Sequence, residues 1–144
     1  MIKPMFLLLL TLLNYFSQSE SCFCMEPKPD YFYCHSDFSA RIHVKGEEYS
    51  NNPNEDLKIY DVEVEKIYRA NWNGRTAINN GKLYTTANSA SCGLILEVNK
   101  SYIVTGSASS GRAEAYLCSF HKEISQLSHE VKQGFEGEYD LKCL

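Results

Sequence analysis

The sequence contains none of the short motifs that mark the common enzyme classes. HExxH, GxSxG, P-loop and GxGxxG patterns are all absent from its 144 residues, so metalloprotease, esterase and nucleotide-binding chemistry have no local signature. Four scattered histidines are interpreted as ordinary surface or capping residues: His35, His43, His121 and His129. The pattern offers no nucleophile or general base. We therefore predict that the chain is not an enzyme and has no cofactor of its own.

Basic residues are fewer than acidic residues in the sequence. Lys and Arg number 14 against 18 Asp and Glu, which gives a formal net charge of -4, whereas a protein that follows phosphates normally presents a basic face. We therefore predict no nucleic-acid partner. Apolar residues make up 44% and charged residues 22% of the chain, without internal repeats, which excludes a disordered tail. The length fits one ordinary domain.

Long hydrophobic runs are absent apart from one near the N-terminus. Lys3 precedes a largely apolar run over residues 5–13, and small and polar residues follow as far as Ser21. This order is typical of a secretory signal, so we predict that residues 1–21 are removed by cleavage after Ser21. A membrane anchor is the alternative, but about 9–12 apolar residues fall short of the roughly 20 that span a bilayer. We therefore predict a protein of the extracellular space, without a membrane partner, that begins at Cys22.

Cysteine is the residue type that the sequence has in excess. All six cysteines follow the predicted cleavage site: Cys22, Cys24, Cys34, Cys92, Cys118 and Cys143. An even number in an oxidising compartment predicts three disulfides, for which fifteen connectivities exist. The grouping of three early and three late cysteines favours pairs that connect the N-terminus across the domain. A zinc site using Cys22 and Cys24 is the competing interpretation, but neither a CxxC pair nor a histidine pair at ligand spacing supports it.

Alternation of apolar and polar residues predicts a mainly β protein. Apolar residues at every second position follow Phe38 and Tyr60, which indicates two long strands. We predict a helical turn over residues 30–35, a loop over 71–81, and strands over 38–44, 60–68, 82–87, 93–98, 102–107 and 113–119. Apolar residues then recur at helical spacing over 124–135, and Gly137 can end this helix. Together these elements predict a small closed barrel with a C-terminal helix packed on it.

A sequon for N-glycosylation lies between two of the predicted strands. It consists of Asn99, Lys100 and Ser101, and such a site suits a secreted protein because glycans are attached to exposed asparagine. We therefore predict that Asn99 lies on a turn and is a candidate acceptor for a glycan.

Several short motifs occur in an order that resembles a known protein family. They are Cys22-Phe23-Cys24 after the cleavage site, Phe32-Tyr33-Cys34-His35-Ser36-Asp37, Ser89-Ala90-Ser91-Cys92-Gly93, Leu117-Cys118-Ser119-Phe120 and Cys143. Together they resemble the N-terminal, netrin-like domain of the tissue inhibitors of metalloproteinases. The resemblance implies that residues 22–143 form an OB-like, five-stranded closed barrel with a short N-terminal helical turn and a C-terminal helix. It also implies three disulfides, Cys22–Cys92, Cys24–Cys118 and Cys34–Cys143.

The resemblance implies a function as well. Members of this family inhibit zinc metalloproteinases, so the implied partner is a metalloproteinase of the matrix type, and the implied inhibitor is a secreted monomer. The α-amino nitrogen and carbonyl oxygen of Cys22 would chelate the catalytic zinc of the target protease and displace its water. The protease-binding ridge would consist of Cys22, Phe23, Cys24 and Met25 together with Ala90 and Ser91.

Three features depart from the family pattern. Phe23 stands where the family usually has Thr or Ser and would enter the S1′ pocket of the protease, so proteases with deep pockets should be tolerated better than those with shallow pockets. Ser91 stands where an apolar residue is common, which weakens the implied ridge. The chain ends one residue after Cys143, without the second six-cysteine subdomain of many members, so functions that need that subdomain are expected to be absent. The alternative function is a non-inhibitory netrin-like module that binds extracellular-matrix or cell-surface partners, because the same fold can serve both functions.

Overall fold

Five β-strands close into a barrel in this structure, a computed structural model that describes residues 22–25 and 28–144. The strands are β1 (Phe38–Tyr49), β2 (Leu57–Ala70), β3 (Lys82–Thr86), β4 (Ser101–Ser109) and β5 (Arg112–Glu114). Their order around the barrel is β1–β2–β3–β5–β4, and β4 pairs back onto β1. All of these pairs are antiparallel except that between β3 and β5. This closed architecture confirms the predicted OB-like barrel.

Helices and one short strand cover the barrel. The helices are α1 (Pro29–His35), α2 (Trp72–Asn79) and α3 (His129–Phe135), and the strand β6 (His121–Glu123) pairs with β4 outside the ring. Single 3₁₀ turns lie at Ser89–Ser91, Ile124–Gln126 and Glu138–Lys142. The predicted N-terminal helical turn and C-terminal helix are therefore both present. Within the described residues, no helix is long and apolar enough to cross a membrane, and the predicted signal over residues 1–21 lies outside those residues.

Strand β1 forms the centre of the hydrophobic core. Four of its residues at alternate positions are fully buried: Phe38, Ala40, Ile42 and Val44. The strand is paired on both edges, and Ile42 lies opposite Val64 of β2 and Tyr102 of β4. Because successive side chains of a strand point to opposite faces, one face of β1 fills the barrel and the other faces outward.

A second apolar cluster lies on the outer side of the barrel. Its buried members are Tyr33, Ile103, Phe135 and Tyr139. Ile103 belongs to the face of β4 opposite to the barrel interior, while the aromatic residues come from α1, α3 and the last 3₁₀ turn. The rings of Tyr33 and Phe135 pack edge to face with their centroids 5.7 Å apart, a geometry that aromatic pairs favour. This cluster attaches the C-terminal region to α1 and to the barrel.

Residues 71–81 contain helix α2 instead of the predicted loop. The Asn71 side-chain oxygen accepts a hydrogen bond from Gly74 N at 2.7 Å and thereby caps the helix. Ala77 and Ile78 are buried in the barrel core, so packing offsets the low helix propensity of asparagine and glycine. The prediction was wrong because an Asn- and Gly-rich composition concealed a helix cap and a buried helix face.

Residues 94–97 have no regular secondary structure and residue 98 begins a turn, so the predicted strand over residues 93–98 is not formed. One isolated bridge joins Gly93 to Tyr116, and no ladder follows it along the described chain. Leu94 and Leu96 are buried in the core, so the side chains alternate as they would in a strand. The periodicity was therefore interpreted correctly, whereas the hydrogen bonding was not.

Buried hydroxyl groups replace the missing partner strand. The Tyr60 hydroxyl donates to Leu94 O and accepts from Leu96 N, both at 3.0 Å. Thr85 Oγ1 accepts from Leu94 N at 2.8 Å. Because these side chains satisfy the buried backbone groups, the segment can lie on the barrel without joining its ladder.

Regular structure in the C-terminal region is shorter than predicted. β5 covers only the start of the predicted range 113–119, because the chain turns where Ser119 N donates to Tyr116 O at 2.9 Å. The helix predicted over 124–135 consists of a 3₁₀ turn followed by α3, which begins after the capping side chain of Ser128. The strand β6 was not predicted, because its three residues are too few to show a period.

Replacing Tyr60 with Phe should lower the free energy of unfolding by about 2–4 kcal/mol, because Leu94 O and Leu96 N would remain buried without a partner. Unfolding in urea with intact disulfides measures the change. Tyr84→Phe is the control, since the Tyr84 ring is half-buried and its hydroxyl has no hydrogen bond to another described residue, and we expect a change below about 0.5 kcal/mol. A Tyr60→Phe variant as stable as the wild type would contradict the proposed role of the hydroxyl group.

Candidate functional site

The N-terminal segment lies beside a turn from the second half of the chain. A disulfide joins Cys22 to Cys92, whose Cα atoms are 5.6 Å apart, and Cys22 Sγ lies 3.8 Å from Ala90 O. The two parts of the predicted ridge, residues 22–25 and residues 90–91, are therefore neighbours. The structure brings together what is separated by more than 60 residues in the sequence.

A second disulfide anchors the same N-terminal segment two residues further on. Cys24 pairs with Cys118, with Cα atoms 5.2 Å apart, and a third disulfide joins Cys34 to Cys143. All three pairs are those that the resemblance implies, and the described residues include no free cysteine. The competing interpretation of a cysteine zinc site is therefore wrong, since each of these sulfur atoms is bonded to another sulfur.

Two large apolar side chains extend from this anchored segment into solvent. Phe23 is 90% exposed and Met25 is 81% exposed, so nothing in the described chain covers either of them. Full burial of one such side chain by a partner contributes about 1.5–3 kcal/mol. Single exposed apolar residues are common on protein surfaces, whereas here two of them lie within four residues of one cross-linked segment.

The neighbouring turn is held by short-range hydrogen bonds. Asn88 accepts from Ala90 N through its side chain at 2.9 Å and from Ser91 N through its carbonyl oxygen at 3.1 Å. Thr86 Oγ1 donates to Ser91 O at 3.1 Å. These bonds connect the turn to the end of β3 and leave Ala90 and Ser91 exposed beside Cys22.

The backbone after this turn approaches the barrel closely. Cys92 adopts a left-handed conformation with φ of 64°, and its carbonyl oxygen accepts from Leu117 N at 2.9 Å. This hydrogen bond links the anchors of both N-terminal disulfides, because Leu117 precedes Cys118. Gly93 follows, and a Cβ atom at this position would overlap the carbonyl oxygen of Thr86. Glycine is therefore required here by the space available.

None of the ridge side chains carries a formal charge. The ridge consists of Cys22, Phe23, Cys24, Met25, Ala90 and Ser91. Its exposed side chains can therefore contribute apolar contacts to a partner and its backbone can contribute hydrogen bonds, whereas a charge comes only from the α-amino group of a chain that begins at Cys22. Burial of apolar area is expected to provide most of the affinity of such a surface.

The histidines do not form a second site. His35 and His129 are exposed and His43 is half-buried on the outer face of β1, as predicted for ordinary surface residues. His121 differs, because it is half-buried with Nδ1 2.7 Å from Ser119 O. Burial lowers the pKa of His121, and this effect outweighs that of the hydrogen bond. Among the residues that the structure describes, no group of three or more His, Cys, Asp or Glu side chains could hold a metal ion.

The predicted glycosylation site is accessible. Asn99 is exposed on a turn, where it has a positive φ of 67°, and its backbone N donates to Val44 O at 2.8 Å. The hydroxyl of Ser101 donates to a carboxylate oxygen of Glu65 at 3.1 Å. Attachment of a glycan at Asn99 stays a prediction.

Residues that position the site without belonging to the ridge were missed by the sequence reasoning. They are Tyr60, Thr85, Thr86 and Asn88. In the sequence the first three are ordinary strand residues, and β-branched and aromatic types are common in strands for reasons unrelated to any site. Only Asn88 carried a usable signal, because asparagine often bonds to the backbone two residues further on.

The barrel and its cross-links define a class of protein: a disulfide-bonded, OB-type barrel with an N-terminal segment anchored to its surface. A family model described as "Tissue inhibitor of metalloproteinase" matches residues 20–144. The chain therefore belongs to the tissue inhibitor of metalloproteinase family, and the resemblance seen in its motifs is confirmed.

Relatives with this family name agree with the assignment. The chain is 26% identical over 121 residues to the "Tissue inhibitor of metalloproteinase" of Drosophila melanogaster, which covers 84% of this chain and 55% of that protein. It is 29% identical over 126 residues to "Metalloproteinase inhibitor 3" of Gallus gallus, covering 87% of this chain and 58% of that protein, with the same values for the Xenopus laevis protein of that name. The chain thus spans little more than half the length of these curated relatives. Their names describe inhibitors, in agreement with the prediction that the chain is not an enzyme.

Replacing Gly93 with Ala should loosen the turn that holds Cys92, because the added Cβ would overlap the carbonyl oxygen of Thr86. We expect backbone hydrogen exchange at Leu94 and Leu117 to accelerate by about tenfold or more. Gly46→Ala is the matched control, since its added Cβ meets no atom closer than 4.0 Å. Unchanged exchange at both amides in the Gly93→Ala protein would show that the close approach does not hold the turn.

Proposed function

We propose that the mature protein is a secreted inhibitor of zinc metalloproteinases, and that it acts through Cys22 once residues 1–21 are removed. Family membership supports this class of target, and the apolar leader supports an extracellular location. One observation carries the proposal. Disulfides anchor both Cys22 and Cys24, while Phe23 and Met25 remain exposed on the same four-residue segment.

The α-amino nitrogen and the carbonyl oxygen of an N-terminal residue can close a five-membered chelate around a metal ion. The catalytic zinc of a metalloproteinase keeps one position for the water that attacks the substrate. In the proposed complex, Cys22 supplies both ligand atoms and displaces this water, which removes the nucleophile. An α-amino group has an ordinary pKa of about 7.7–8.0, so deprotonation costs little at neutral pH. The Cys22 sulfur takes no part, since it is bonded to Cys92.

Cross-linking also lowers the entropic cost of binding. A free N-terminus would have to be ordered in the cleft, whereas the disulfides at Cys22 and Cys24 restrict the segment before the protease is met. Ala90 and Ser91 lie beside the segment on a turn with its own hydrogen bonds. Both parts of the ridge can therefore enter a cleft with little rearrangement.

The partner in this proposal is a zinc metalloproteinase of the matrix type, bound by one copy of the chain. The inhibitor contributes no metal or cofactor of its own, and the only metal ion that it binds in the complex is the zinc of its target. The uncharged ridge supports this choice, because substrate-like segments bind in such clefts through backbone hydrogen bonds and apolar pockets.

One extra alanine before Cys22 tests the chelate directly. The extension converts the Cys22 nitrogen into an amide and moves the free amine about 3.8 Å along the chain, measured between Cα atoms. We expect the mature protein to inhibit several matrix metalloproteinases, and the extended protein to lose about a thousandfold or more in affinity. Residual peptidase activity provides the measurement, and mass spectrometry of the three disulfides provides the control for correct folding.

Two results would overturn the proposal. Equal inhibition by both proteins would exclude the amine as a ligand. Inhibition by neither, with three intact disulfides, would instead favour a netrin-like module that binds matrix or cell-surface partners without blocking a protease.

Phe23 is expected to select among proteases by the depth of their S1′ pocket. Replacing Phe23 with Thr should improve inhibition of shallow-pocket proteases by about tenfold or more, because a smaller side chain fits without strain. Trp72→Thr is the control, since Trp72 is also exposed, at 81%, but belongs to α2. If the inhibition constants of Phe23→Thr match those of the wild type in both pocket classes, Phe23 does not enter the pocket.

A further inference from the structure

An exposed aliphatic side chain lies three residues after Cys92, the residue to which Cys22 is cross-linked. Ile95 is 70% exposed, whereas its neighbours Leu94 and Leu96 are 1% and 3% exposed. Because side chains alternate along an extended chain, burial of both leucines turns Ile95 outward. A single exposed aliphatic side chain is common on protein surfaces, and it is the position of Ile95 close to Cys92 that allows a contact with the partner of the ridge.

The backbone that carries Ile95 is held on both sides. The Tyr60 hydroxyl bonds to Leu94 O and Leu96 N, each at 3.0 Å. The Tyr102 hydroxyl accepts from Glu97 N, also at 3.0 Å. A side chain presented by such a fixed backbone loses little freedom when a partner covers it.

Ile95 lies within reach of an interface centred on Cys22. The Cα atoms of Cys22 and Cys92 are 5.6 Å apart, and three residues of extended chain add at most about 10 Å. An interface of ordinary size buries about 800 Å² on each partner, which corresponds to a disc of about 16 Å radius. The Cα atoms of Ile95 and Cys22 are therefore at most about 16 Å apart, a separation that one interface of this size can span.

The chemistry of the segment also fits one occupant. Residues 89–96 contain no charged side chain, and the carboxylate of Glu97, two residues after Ile95, is paired with Lys100 at 2.9 Å. An apolar partner surface therefore fits Ile95 best. The segment is continuous with Ser91 of the ridge, and the same protease is therefore the partner that reaches both.

We propose that Ile95 is a specificity-determining contact residue, which packs against an apolar patch on the rim of the metalloproteinase cleft outside the zinc site. This inference rests on the proposed function, because it places Ile95 in the same complex. Proteases with an apolar rim are inhibited more strongly through this contact than those with a charged rim.

Inhibition constants of an Ile95→Ser variant of the mature protein test the inference on a panel of matrix metalloproteinases. We expect inhibition to weaken by about tenfold for at least one protease, while Ile95→Val stays within about threefold of the wild type. Leu141→Ser is the matched control, because Leu141 is an aliphatic residue that is 81% exposed in the last 3₁₀ turn, and its inhibition should be unchanged. The melting temperature of Ile95→Ser should equal that of the wild type, since the side chain is already exposed.

The outcomes separate the two proposals. If the wild type inhibits the proteases and Ile95→Ser inhibits each of them equally strongly, the role of Ile95 is refuted and the proposed function stands. An equal weakening of inhibition in Leu141→Ser would also refute the role of Ile95, since the effect would not be local to that residue. If the wild type inhibits none of the proteases, the proposed function fails and the inference fails with it.

Discussion

The cross-link between Cys22 and Cys92 is the constraint on which the proposed site depends. It joins residues 70 positions apart. On the chain-entropy model, closing a loop of this size lowers the entropy of the unfolded chain and stabilises the folded state by at most about 4–5 kcal/mol. Its second effect is local, because Cys92 is itself fixed by the hydrogen bond from Leu117 and by the close approach of Gly93 to Thr86. The N-terminus is thereby attached to a part of the barrel that cannot move independently. Without this attachment, Cys22 and Phe23 would form a chain end that is held only from Cys24 onward.

The absence of a strand is as important as the barrel itself. Residues 93–98 lie along the core, yet side-chain hydroxyl groups from Tyr60, Thr85 and Tyr102 satisfy their buried backbone groups. This arrangement fixes the backbone of the segment, while its outward side chains point away from the barrel core. Core polar groups, the turn at Ala90 and the exposed surface thus form one connected unit. A change in a buried hydroxyl group is therefore expected to reach the surface that is proposed to bind a partner.

The sequence predicts the architecture better than it predicts individual elements. The alternating strands indicated the closed barrel and the even number of cysteines indicated three disulfides, whereas the particular pairs followed only from the resemblance of the motifs to the family. Helix α2 was missed because its cap and its buried face contribute more than composition does. The segment 93–98 was assigned to a strand because its periodicity is that of a strand, while its bonding partner Tyr60 lies 34 positions before Leu94. Contacts between residues so far apart in the sequence produce no local sequence pattern, and the residues that support the site were missed for the same reason.

The most direct measurement is the coordination of the protease zinc in a complex with the mature protein, by crystallography or X-ray absorption. The predicted result is one nitrogen and one oxygen from Cys22 on the zinc, at roughly 2.0–2.2 Å, with the catalytic water displaced. A zinc ion that keeps its water while Cys22 lies elsewhere would contradict the proposed chelate. In that case any inhibition would have to come from occlusion of the cleft by the exposed side chains alone.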